Sequence, residues 1–566
     1  MTRLTNDPAD FPAEALKGFI AANKRYVKPV YGGVARSTFT PAGKVAVVYG
    51  GGSGHYPAFA GWVGHGFADG AVCGNIFSSP SAAQAYSVLK AVHRGAGVLM
   101  GFGNYAGDVL HFGQAIERLR AEGIEADTLV VTDDIASGDA AEPEKRRGIA
   151  GDFPVFKITS AAAEAGLGFD EVRRVFAKAN AATRSFGVAF AGCTLPGAKG
   201  PLFTVPAGRM GIGLGIHGEP GVAEADLGSA DDVARTLVEG LLADRPAGAG
   251  NRVVAIVNGL GASKYEELFV VTSCVVARLE AAGLECADVE AGEFVTSLDM
   301  AGVSLTLVWV DDELLGYWDA PCDAPAYRKG SVGSVERDDA ALSQAAAPVE
   351  VTTSGSAASR EAAEVAAGLL DDVAEMLARA QEELGALDSV AGDGDHGIGM
   401  ANGSRAAAGA AHAAVSAGGG LRTTLTAAGD AWSNRAGGTS GALWGALLTA
   451  LGSALGDEKP PGSDDLAAAL QAALSAVQRL GGAEVGDKTL VDAFSPFVAA
   501  FVATDGDLAA KSAAAVVAAE AGTESTRALV ARLGRARPLG EKSVGTPDPG
   551  AVSLTKVVTL LNSRLG

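Results

Sequence analysis

Between Ser331 and Ser359 the chain reads SVGSVERDDAALSQAAAPVEVTTSGSAAS, a stretch with no sustained apolar period, and the sequence on either side of it obeys two different periodicities. Before it, β-branched apolar bursts recur at Val45 to Tyr49, Gly97 to Met100, Thr128 to Thr132 and Val253 to Asn258, each followed by small or polar residues, with helical patterns between them. Strands that lose their polar alternation are buried on both faces, which is the mark of α/β architecture. After it, Val365, Leu369, Val373, Leu377, Ala380 and Leu384 repeat every three or four residues, and Ala-rich helical text continues through 421–452, 464–480, 489–503 and 507–520. Apolar residues on a 3.6-residue period build amphipathic helices. The pattern predicts an α/β region over 1–330, a linker over 331–358 and an all-α region over 359–566. A compositional change between Asn180 and Ala207 divides the first region into two α/β lobes.

A chain of 566 residues exceeds one ordinary core, and 48% hydrophobic against 20% charged residues supplies enough apolar surface to fold several. The net charge of −21 repels nucleic-acid backbones and anionic membrane surfaces, so neither is expected as a partner. Any anionic substrate must then be held by backbone amides, a metal or a few placed cations. Five scattered cysteines without a CxxC pair suit a reducing compartment. The N-terminal text has no apolar signal region and no window reaches the length of a membrane helix, which predicts a cytoplasmic protein.

In the helical region, LDSVAGDGDHGIGM sets Asp388, Asp393 and Asp395 in a glycine-rich turn between helices. Carboxylates gathered this way suit Mg²⁺, which takes hard oxygen ligands together with substrate phosphates; an Asp-rich turn with solvated carboxylates is the plainer alternative. Three further segments add to the Asp cluster: RAGGTSGALWGALL, a small-residue turn opening a helix; EVGDKTLVDAF, a Gly-Asp turn feeding a helix; and GRARPLGEKSVGTPDPGAVSL, with the cation Arg535 and a rigid Asp548-Pro549-Gly550 turn. Amides at a helix start can cradle phosphate, although a single Gly-rich turn is more often a cap.

In the α/β region, VVYGGGSGHYPAFAGWVGHGFADGAVCG follows a strand, so Gly50 to Gly54 is expected to form a loop that lets backbone approach a ligand. GFGNYAGDVLHFG puts Asp108 after a short strand, and RMGIGLGIHGEPG puts His217 among glycines. Taken alone, a His between Ile and Gly is more often structural than catalytic.

These motifs together resemble the dihydroxyacetone kinase family. GGGSGH, NYxGD, GxGIHGEPG and the segment Thr296 to Ala326 resemble its substrate domain, and DxxxxDxDHG, GGTSG, GDKT and GxPDPGA its ATP-binding domain, all in the family's order. The resemblance implies a two-lobed α/β substrate domain followed by a barrel of eight antiparallel helices. It implies an ATP-dependent kinase in which Asp388, Asp393 and Asp395 hold Mg²⁺. His396, Gly397, Ile398, Gly399, Thr439, Ser440, Gly486, Arg535, Asp548, Pro549 and Gly550 would contact ATP. A short ketose would be held as a hemiaminal on His217, with His55 and Asp108 acting on its hydroxyls and Gly52, Ser53, Gly54 and Gly103 lining the site. A homodimer, with one chain's helical domain covering the other's substrate site, is also implied.

The sequence departs from the family at Tyr56, where Glu is usual, at Phe59, where His is common, and at Gly103, where Lys is usual. Loss of a Lys side chain is expected to open volume and favour a slightly longer ketose, the four-carbon erythrulose. Rival readings are an FAD-splitting lyase that forms cyclic FMN, a non-catalytic ketose-binding regulator, and a phosphotransfer protein fed by a phosphocarrier. Retention of His55, Asp108, His217 and all three Asp favours the kinase.

Overall fold

The computed structural model describes residues 4–219, 221–338, 355–534 and 536–564. Arg535 and most of the expected linker, 339–354, lie outside the described residues. The chain separates into two units, Met1–Ala347 and Pro348–Gly566.

Two six-stranded sheets make up the first unit. The first has the order β1-β2-β4-β3-β5-β6, from β1 (Val27–Val30), β2 (Gly33–Arg36), β3 (Ala46–Ser53), β4 (Gly70–Ile76), β5 (Val98–Gly103) and β6 (Ala126–Val131). Strands β4, β3, β5 and β6 run parallel, and the apolar bursts at Val45, Gly97 and Thr128 fall on three of them. Val47, Val48, Val98 and Leu99 are fully buried, as a parallel strand covered on both faces requires. The second sheet is ordered β11-β10-β12-β7-β8-β9, from β7 (Thr183–Ala191), β8 (Arg209–Ile212), β9 (Ala223–Asp226), β10 (Arg252–Gly259), β11 (Glu285–Gly292) and β12 (Ala301–Trp309). Only β10 and β11 pair in parallel there. The second sheet's strands begin with β7, inside the compositional change at 180–207.

The expected Gly50–Gly54 loop is corrected by the structure. Gly50 to Ser53 continue β3 and pair with β4, with an irregularity between Gly51 and Ser53. Glycine is required because neighbouring backbone occupies the side-chain space: a Cβ on Gly52 would lie 2.6 Å from the Ser78 amide nitrogen. The chain turns only at Gly54, whose φ of +104° is left-handed.

The second unit is all helical. Among the described residues it has nine α-helices: Ala357–Arg379, Gln381–Asp388, His396–Ser416, Leu421–Ala436, Gly438–Leu455, Ser463–Gly481, Val491–Ala503, Leu508–Ser525 and Pro549–Ser563. The short Gln381–Asp388 helix follows Ala357–Arg379 directly, joined at Ala380. The apolar stripe read from the sequence faces the core from Val373 onward, with Val373, Leu377, Ala380 and Leu384 buried, whereas Val365 at its start is exposed. The 421–452 stretch is two helices, parted at the small-residue turn read from RAGGTSGALWGALL, where Gly437 and Gly438 leave the helical region with φ values of +63° and +58°. The two halves then fold back closely: a Cβ on Gly429 would meet the Gly445 carbonyl at 2.7 Å, and Trp432 stacks on Trp444. Among the described residues no helix is long and apolar enough to cross a membrane.

Candidate functional site

Two groups of the sequence-derived residues come together, one in each unit. In the first unit Gly54 ends β3, and its carbonyl accepts the Leu298 amide at 2.8 Å. That bond ties the strand end to the second lobe and places His55 at the lobe junction. His55 Nδ1 donates to the Thr296 carbonyl at 2.8 Å, and its Nε2 faces His217 Nε2 at 3.1 Å. His217 sits in the turn between β8 and β9 and is 5% exposed; His55 is 2% exposed. Phe77 stacks on His55 at 5.0 Å and meets His217 edge-on at 5.2 Å, while Tyr105 meets His217 edge-on at 4.5 Å. Burial pushes the Tyr105 phenol well above its ordinary range.

Glu219, absent from the sequence-derived set, receives the His217 backbone amide at 3.0 Å on Oε2 and His217 Nδ1 at 3.2 Å on Oε1. Arg147 reaches the same Oε1 at 3.8 Å and is held by Asp134 at 2.8 and 3.0 Å. A Cβ on Gly215 would fall 2.0 Å from Glu219 Oε2, which explains the glycine in GLGIHGEPG. The local signal for Glu219 was its place two residues after His217, and that for Thr296 its place at the head of the segment resembling the substrate domain; Arg147 and Phe77 had none. Asp108 lies in the first turn of the helix Ala106–Ala121, three residues beyond Tyr105, and is buried. Its charge adds to burial and Asp133 in raising the neighbouring Asp152 carboxyl. Ser53 Oγ donates to the Gly74 carbonyl at 2.7 Å.

The expectation of open volume at Gly103 does not hold. Gly103 closes β5 against Gly148, and a Cβ on it would stand 2.9 Å from the Gly148 carbonyl oxygen. Backbone fills the space a Lys side chain would leave. Phe59 is buried in the hydrophobic core, and Tyr56 is half-exposed with its ring edge against Phe19.

In the second unit Asp388 ends one helix, Asp395 caps the next, and Asp393 lies in the turn between them. Their carboxylate oxygens lie within 4.8 Å of one another. Three converging oxygen donors fit a hard divalent ion such as Mg²⁺. His396, the first helical residue, meets Ser440 Oγ through Nδ1 at 3.2 Å and Ser553 Oγ through Nε2 at 3.0 Å. Its burial lowers the imidazole pKa. His396 thereby draws together the N-termini of His396–Ser416, Gly438–Leu455 and Pro549–Ser563. First-turn amides have no partner within their helix and the dipoles point positive, so three such ends favour an anion. Gly397, Ile398 and Gly399 occupy the first turn of one of these helices, and Thr439 and Ser440 that of another. Asp548 caps the third by accepting the Ala551 amide at 2.7 Å, and Pro549 and Gly550 open it.

The GDKT turn packs beside them, because Gly550 approaches Leu490 closely. Asp492, unremarked in the sequence, accepts the Gly486 and Thr489 amides at 2.6 and 2.7 Å and fixes that turn. Lys488 points inward, and its three ammonium protons are shared among four carbonyls, those of Thr526, Leu529, Ser543 and Thr546, at 2.7 to 3.1 Å. It staples the segment leading to Asp548.

Comparison with known proteins agrees with both halves. The Dak1 domain matches residues 17–326 and the DAK2 domain residues 390–563. The chain is 56% identical to a D-erythrulose kinase of Mycolicibacterium smegmatis, covering 98% of this chain and 97% of the relative. It is 54% identical to an L-erythrulose 1-kinase of the same organism, covering 100% of both. Its structure is similar to that of the dihydroxyacetone kinase from C. freundii in complex with AMP-PNP and Mg²⁺, with a TM-score of 0.54, 29% identity, and 100% of this chain and 99% of that one covered. With both domains matched in order and relatives aligned from end to end, this chain belongs to the dihydroxyacetone kinase family.

Proposed function

We propose that this chain is an ATP- and Mg²⁺-dependent kinase that phosphorylates a terminal hydroxyl of erythrulose held as a hemiaminal on His217. The observation that carries the substrate is end-to-end identity of 54 to 56% with D- and L-erythrulose kinases. Asp388, Asp393 and Asp395 would hold the metal, which supplies neutralisation of phosphate charge during transfer. The helix starts at His396, Gly438 and Pro549 orient the nucleotide, His396 acting through Ser440 and Ser553. Arg535 would contribute a cation, as the family resemblance implies. In the first unit a covalent bond to His217 selects a carbonyl compound over a polyol, because only a ketone offers carbon to attack. His55 and Asp108 act on the ketose hydroxyls, one of them as the base toward the hydroxyl that attacks the γ-phosphate. The working form is a homodimer, which sedimentation at assay concentrations measures. ADP release on addition of erythrulose tests the activity.

A further inference from the structure

Hydrogen-bond roles around the two histidines leave little freedom. The Thr296 carbonyl only accepts, so His55 Nδ1 carries a proton. The Glu219 carboxylate only accepts as well, so His217 Nδ1 carries one too. The two Nε2 atoms, 3.1 Å apart, then share a single proton between them. When that proton sits on His55, His217 Nε2 keeps a lone pair, which accepts the His55 proton until a ketone carbon takes its place.

We propose that Glu219 is a positioning residue that makes Nε2 the nucleophilic atom of His217 and supplies the counter-charge of the covalent adduct, with Arg147 and Asp134 holding it in place. This rests on the hemiaminal reading above. As the His217 Nε2 lone pair bonds to the ketone carbon, the carbonyl π pair moves to oxygen, and the proton on His55 Nε2 passes to that oxygen. His55 becomes neutral, while His217, bearing carbon on Nε2 and a proton on Nδ1, becomes an imidazolium. Its positive charge faces Glu219 Oε1 at 3.2 Å in a site where His217 and Glu219 are 5% and 3% exposed. A buried charge formed during a reaction needs a fixed partner already in place, and this one costs no reorganisation. Arg147 and Asp134 keep the carboxylate from swinging away.

Glu219→Gln tests the assignment because the His217 backbone amide can only donate. The Gln oxygen must therefore take over from Oε2, which turns its NH₂ toward His217 Nδ1. That nitrogen must then accept, and the ring proton moves to Nε2, blocking the nucleophile. The expected result is a roughly 10- to 100-fold fall in kcat/KM for erythrulose with KM for ATP unchanged. Imidazole ¹⁵N spectra are expected to show the His217 proton on Nδ1 in wild type and on Nε2 in the variant. Glu219→Asp, which keeps the charge, is expected to retain more activity than Gln. Wild-type spectra with an unprotonated His217 Nδ1 overturn the assignment, even if the Gln variant does not fold. Glu219→Gln at wild-type kcat/KM beside an inactive His217→Ala overturns the assignment alone. An active His217→Ala removes the hemiaminal reading and the assignment together.

Discussion

His55 and His217 present their Nε2 atoms to each other at 3.1 Å although 162 residues separate them in the chain. One stands at the end of a strand in the first lobe and the other in a turn of the second, so the site exists only when both lobes have folded against each other. The Leu298 amide bonded to the Gly54 carbonyl and the Thr296 carbonyl bonded to His55 hold that junction from the second lobe's side. A substrate anchored on His217, as proposed, would meet groups from both sheets.

The Asp388, Asp393 and Asp395 cluster predicts the behaviour of its amides. Asp393→Asn and Asp395→Asn keep shape but remove charge, and each is expected to lower kcat roughly 100- to 1000-fold while ketose binding stays intact. Steady-state rates over a Mg²⁺ titration, with ketose binding followed by calorimetry, check this. Near-normal turnover at modest Mg²⁺ contradicts the metal role.

Gly103 predicts a stability effect in place of a change of substrate. Any Cβ there meets the Gly148 carbonyl, so Gly103→Ala and Gly103→Lys are expected to destabilise the first unit by about 1–3 kcal/mol without shifting preference toward dihydroxyacetone. Urea unfolding and the ratio of kcat/KM for the two ketoses measure both halves. A stable Gly103→Lys protein with a reversed ratio contradicts the packing argument.

Lys157 carries a pH prediction. It is fully buried on the helix Asp152–Glu164 and donates to the Tyr317 carbonyl at 3.1 Å, and burial pushes its ammonium down to about 8 from an ordinary 10.5. A folded pKa below the unfolded one costs stability, and the cost changes with pH only where the unfolded chain holds a proton that the folded chain has lost. The cost is full below about pH 8 and fades as pH rises toward 10.5. It amounts to about 3 kcal/mol, offset by about 1 kcal/mol for the hydrogen bond. Lys157→Met is expected to be about 2 kcal/mol more stable than wild type at pH 7, with the gap shrinking at pH 9.5. A variant less stable at both values contradicts the assignment.

Much of this was readable because the information is local. Buried parallel strands announce themselves as valine bursts, and Asp388, Asp393 and Asp395 lie within one turn, so their convergence needs no distant contact. What escaped depends on partners far along the chain. Gly50 to Ser53 read as a loop because glycine favours loops, but Ser78 backbone and β4 decide that they stay extended. Ser553 reaches His396 across 157 residues, and Gly148 fills the space beside Gly103. Lys488 sits in a motif suggestive of phosphate binding, yet four carbonyls from a later segment take its ammonium.

The most direct test is ADP release with Mg²⁺ and ATP over D-erythrulose, L-erythrulose, dihydroxyacetone and glycerol. One enantiomer of erythrulose is expected to exceed dihydroxyacetone in kcat/KM by on the order of 10-fold or more, with no turnover of glycerol. Preference for dihydroxyacetone, or ADP release with glycerol equal to that with the ketoses, contradicts the account.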